Sequence, residues 1–169
     1  MIEDHLTFLR VTRRMPNAAF VKVWVLPREE ISPAPQGDEW VVFRSHFLRG
    51  FSLPASGFLR AFLEFYNLQP HHLTPNTVML LSAFVTLCEG FLGVLPTLEP
   101  WAEFFQSKLG TVVAGVPTPC GAFIAMRWVS ENNPFPPIPL IQSVKLWQKS
   151  YFYVKNIAQI GRASCRERV

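Results

Sequence analysis

Aspartate is almost missing from this chain: Asp4 and Asp38 are the only two, both ahead of the central region. Two-metal nucleases and integrases hold paired cations with three carboxylates, usually two Asp and one Glu, and the only aspartates here both precede the helical core. A protease of the retroviral kind needs Asp followed by a small hydroxyl residue and Gly, whereas Asp4 precedes His5 and Asp38 precedes Glu39. Reverse transcription needs adjacent aspartates on a hairpin, and there are none. The expected function is therefore non-catalytic, with no catalytic residues assigned.

Other absences narrow the class further. Cysteine is limited to Cys88, Cys120 and Cys165, an odd count without repeated spacing, so a disulfide scaffold is not expected. His71-His72 lies upstream of two of these cysteines. Adjacent residues diverge on either helix or strand, and no Cys pair has ligand spacing, so neither a metal nor a cofactor is expected. The expected place for both histidines is an exposed helix start. Gly50, Gly57, Gly90 and Gly93 are too dispersed for a phosphate-binding loop. The N-terminus lacks a signal-peptide pattern, and the uncharged stretches Tyr66–Cys88 and Leu109–Met126 are broken by Pro, Gly, Asn and His. An intracellular protein of nucleus or cytoplasm, with no membrane partner, is the expectation.

What the chain has is apolar material: 49% hydrophobic residues against 17% charged, with 15 Phe and 5 Trp in 169 residues. That suffices for a single-domain core with large aromatic anchors. Arg162, Arg166 and Arg168 against Glu167 supply half of the formal +4 charge, so the rest is only mildly basic. Arg44, Arg49 and Arg60 are the candidate nucleic-acid contacts, although a solvated face explains them equally well.

The central stretch carries three helix patterns in succession. Ser52-Leu53-Pro54 offers a cap and an early proline before Phe58, Leu59, Phe62, Leu63 and Tyr66, with Asn67 suited to a left-handed stop. Thr74-Pro75 opens a second helix with Val78, Leu81, Phe84, Val85 and Cys88 on its buried side, closing at Gly90. Cys88 is thus an inert core thiol by expectation. Thr97 caps a third helix carrying Trp101, Phe104 and Phe105 and ending near Gly110, whose aromatic stripe reads as core rather than as a base-stacking surface. Such one-sided helices are stable only packed together.

The flanks are less regular. A weak helical pattern covers the first fifteen residues, Phe20–Leu26 reads as a short strand, and Pro27–Gly37 reads as a connector. Trp40–Phe43 is a further apolar run. After Gly110, Thr111–Val116 and Ala122–Trp128 are candidate strands, Asn132–Pro139 is irregular, and Val144–Val154 suggests a helical turn leading into a strand. The fold class is α+β, mainly α: a three-helix core over about 52–109 followed by a small β region.

The last ten residues, Ile160 to Val169, resemble the translation of a sequencing-library adapter. The expectation is one domain over 1–159, truncated at its C-terminus, with 160–169 not native and the natural chain continuing past Gln159.

Several blocks also resemble a known family. They are Val41-Val42-Phe43 with His46 through Ser56, then Phe62 through Asn76, then Leu87 through Gly93 with Pro96 and Trp101, and finally Ser143 through Lys149 with Tyr151 through Asn156. In this order, from about Phe20 to Gln159, they are similar to the gypsy-type transposon domain abundant in grasses. The sequence departs from that pattern at Asn67, where Gly is more usual. The resemblance implies residence in a plant retrotransposon of the long-terminal-repeat kind and supplies no catalytic residues. A gag-like protein–protein assembly module is the expected function, with self-association or other transposon proteins as partners. A nucleic-acid-binding accessory module is the alternative.

Overall fold

The computed structural model describes residues 24–25, 33, 35–36, 39–53, 55–110, 119–127 and 145–155. In chain order they form β1 (Trp24–Val25), β2 (Glu39–Phe43), α1 (Arg44–Leu48), α2 (Gly57–Phe65) and a 3-10 turn at Pro70–His72. Then come α3 (Pro75–Thr86, continued by a π-helical stretch Leu87–Leu92), α4 (Leu98–Phe104), β3 (Phe105–Leu109) and β4 (Phe123–Arg127). A 3-10 turn at Trp147–Lys149 leads into β5 (Tyr151–Lys155). The class is α+β, as the sequence suggests. The weak N-terminal helix, strand 111–116, irregular stretch 132–139 and tail 160–169, with most of connector 27–37, lie outside the described residues.

The helix starts follow local chemistry. Ser56, rather than Ser52, caps α2: its hydroxyl accepts the Leu59 N–H at 3.2 Å. Two residues past the helix end, Asn67 takes the left-handed conformation its short side chain tolerates. Thr74 caps α3 through the Thr77 N–H, with Pro75 at the first helical position, where its missing donor costs nothing. Helix α3 does not stop at Gly90. It continues to Leu92 and closes at Gly93, left-handed at φ 66°, with the Val94 N–H bonded to the Cys88 carbonyl at 2.9 Å. Pro75–Leu92 thereby becomes long and apolar enough to cross a membrane by length and composition. Its apolar character has a local use, since Val78, Leu80, Leu81, Phe84 and Cys88 are buried in the core.

The third helix is shorter than the pattern implies. It ends at Phe104, and Phe105–Leu109 is a strand whose main-chain groups pair with β4, from Phe105↔Arg127 to Leu109↔Phe123. The Trp101–Phe105 contact that suggested helix survives this change, the rings stacking at 4.1 Å. Spacing of four residues registers the contact but not the backbone that delivers it.

The β structure is not confined to the region after the helices. Strand β5 lies between β1 and β2 in an antiparallel sheet, with β2 paired along its length from Glu39↔Lys155 to Phe43↔Tyr151. Alternation sends Val42, Phe152 and Val154 into the main core, while Val41, Phe43, Tyr151 and Tyr153 form a smaller cluster against Cys120 and Trp147. Trp101 anchors the main core. It is fully buried, with Phe58, Phe62 and Phe84 at ring separations of 6.1, 5.4 and 5.5 Å, and its indole N–H donates to Ser107 Oγ at 3.2 Å. The aromatic stripe is core, and no face of Trp101 is open to a base.

Candidate functional site

Helices α2 and α3 and the link from α1 enclose a cleft of about 170 Å³, with Phe51, Phe58, Leu59, Val78, Leu81 and Val85 among its apolar lining. Serine and threonine side chains complete the walls, Ser56, Ser82 and Thr86 among them. One close approach shapes it. Gly50 has φ 99°, and a Cβ there would sit 2.0 Å from Ser82 Oγ, so only glycine lets the chain cross α3 at this point.

The three candidate arginines divide about this cleft. Arg49 directly precedes Gly50, is half-buried and sets its guanidinium Nη1 3.3 Å from Met79 Sδ. Arg60 directly follows Leu59 and is exposed. Arg44 opens α1 at its other end, with its backbone N–H on the Ser150 carbonyl. Arg49 and Arg60 thus adjoin cleft residues in the chain and Arg44 does not.

Beyond the cleft, α3 runs into an unusual surface. Every residue from Glu89 to Leu95 is exposed, and four are large and apolar: Phe91 at 80%, Leu92, Val94 and Leu95 at 82%. No Lys or Arg occurs between Arg60 and Lys108; Glu64, Glu89, Glu99 and Glu103 are the only charged residues there. In the chain, the exposed acidic residues Glu89 and Glu99 lie on either side of the apolar projection. Both the cleft and this projection escaped pattern reading. A cleft is a tertiary object, and the run Phe91-Leu92-Gly93-Val94-Leu95 looks like ordinary core material. The absence of basic residues over 61–107 was the available signal.

The histidines correct another expectation. His71 is buried and His72 half-buried, not exposed at a helix start, because Pro70–His72 packs beneath the turn at Gly121, whose N–H bonds the His71 carbonyl at 3.0 Å. His72 Nδ1 accepts the Gln69 N–H at 3.1 Å. His46, which no sequence pattern marked, is also buried, with Phe43 and Trp147 rings at 5.2 and 5.4 Å. Burial lowers the pKa of His46 to about 3, partly opposed by its hydrogen bond to the Leu73 backbone. Burial, then the neighbouring His72 and His46, lowers that of His71 to about 3 as well. Both are neutral at pH 7. Among the described residues no group of three or more His, Cys, Asp or Glu is arranged to hold a metal ion.

Cys88 is in the core, and burial with the adjacent Glu89 pushes its thiol pKa up, which keeps it protonated and poorly nucleophilic at neutral pH. Burial also raises that of half-buried Cys120.

Residues 41–109 match the family described as "Putative gypsy type transposon". The match runs from the third residue of β2 to the end of β3, so it contains the cleft, the three arginines and the exposed segment after α3. It includes the first three resembling blocks, and the block 143–156 lies outside it. No curated protein and no solved structure matches the chain.

Proposed function

We propose that this chain is a gag-like, protein–protein assembly module of a plant gypsy-type retrotransposon protein, acting inside the cell without catalysis. The observation that carries the reading is the run Phe91–Leu95, where four exposed large apolar side chains fall within five consecutive residues. Contiguous exposed apolar surface of this kind marks contact sites on soluble proteins. Size-exclusion chromatography with light scattering tests it. A mass above that of one chain, growing with concentration, is expected, and a strict monomer at the highest soluble concentration contradicts it.

A second reading, nucleic-acid contact, draws support from Arg49 and Arg60 adjoining one cleft. It requires binding to DNA or RNA that weakens steeply with salt and is lost on replacing Arg44, Arg49 and Arg60. No binding at low salt removes it.

A further inference from the structure

We infer that the exposed segment Phe91–Leu95 of one copy seats in the α2–α3 cleft of a second copy, with Phe91 as the inserted side chain. This rests on the assembly reading above and names its two contacting surfaces.

Three observations converge on that pairing. The first is size. A dry apolar cavity of roughly 150 Å³ accepts a benzene molecule, and the cleft offers about 170 Å³, enough for one phenyl ring. The second is polarity. The lining is mainly apolar and the segment presents Phe91, Leu92, Val94 and Leu95, so seating removes apolar surface from water on both sides. The third is charge. Glu89 and Glu99, both exposed, flank the segment in the chain, while Arg60, exposed, follows the cleft residue Leu59, and Arg49, half-buried with its guanidinium on Met79 Sδ, precedes Gly50. Opposite rim charges set register and suppress wrong partners more than they add affinity. Phe91 is 80% exposed and so does not occupy the cleft of its own chain, which leaves both surfaces available to another copy.

Such a contact joins two different patches, so every copy keeps a free segment or a free cleft until a ring closes or a chain grows. That property makes the test decisive. The full chain is studied by sedimentation velocity as wild type, as a segment variant (Phe91→Ser with Leu95→Ser) and as a cleft variant (Arg60→Glu with Thr86→Glu). A 1:1 mixture of the two variants completes the set. All four positions are exposed, so the variants are expected to fold, and circular dichroism confirms it. Each variant alone should associate at least about tenfold more weakly than wild type. The mixture should recover a dimer and nothing larger, because one intact segment meets one intact cleft.

A segment variant that assembles like wild type overturns the inference while leaving assembly itself standing. So does a cleft variant that assembles normally, or a mixture that stays monomeric. A wild-type chain that is monomeric throughout, as it would be if the segment served only a different protein, overturns both.

Discussion

Thr77 does the work of a neighbouring strand. Its buried hydroxyl accepts the Ala125 N–H at 3.0 Å and donates to the Phe123 carbonyl at 3.3 Å, satisfying two main-chain groups of β4 from a helix. With its only proton used there, the 2.8 Å contact with Thr74 has Thr74 as donor. Thr77→Val keeps the shape but strands the Ala125 N–H, while the Phe123 carbonyl keeps the Thr74 N–H at 3.3 Å, so stability should fall by about 1–3 kcal/mol. Thr77→Ser should retain most of it. Urea unfolding midpoints separate the two. The histidines make a second residue-level prediction. His46 and His71 have pKa values lowered to about 3 in the fold against an ordinary 6.5, so below 6.5 the unfolded chain binds more protons. Their contribution is complete above pH 6.5 and declines as pH falls toward 3, by up to about 1.4 kcal/mol per pH unit for each histidine. Melting temperatures from pH 7 to 4 should drop steeply, and His46→Gln should flatten the slope. A slope unchanged in that variant contradicts the assignment.

At the scale of elements, local chemistry was legible and pairing was not. The Thr74-Pro75 start and the Asn67 stop follow from side chains acting within a turn or two, and the burial of Trp101 was legible from its place on an apolar stripe. Phe105 shows where that runs out: at helical spacing from Trp101 it suited a helix, but β4 supplied main-chain partners and drew it into a strand. The sheet of β2 with β5 joins residues more than a hundred positions apart, beyond any periodicity. The burial of His46 depends on Trp147 and Leu73 arriving from elsewhere in the chain. Arg44, Arg49 and Arg60 could be picked out by charge, but only folding separates Arg44 from the other two. The crossing at Gly50 gives an element-scale prediction. Gly50→Ala combines a positive φ with a clash on Ser82, so it should destabilise by about 2–3 kcal/mol, and Ser82→Gly in the same chain should recover part of that loss. Equal stability of Gly50→Ala and wild type would mean that this crossing is not tight.

For the whole molecule, a well-packed aromatic core stands beside an apolar projection that the core does not absorb. Folding alone gives no reason to leave Phe91 and Leu95 in water, since exposed apolar side chains of this size bring no stability to an isolated chain. Contact with another copy does give one. Amide hydrogen exchange of the full chain at low and high protein concentration tests this most directly. Exchange over residues 89–95 and over the cleft segments 50–59 and 78–86 should slow together as concentration rises, while the rest of the core is unaffected. Exchange in those segments that is the same at both concentrations would contradict assembly through this surface.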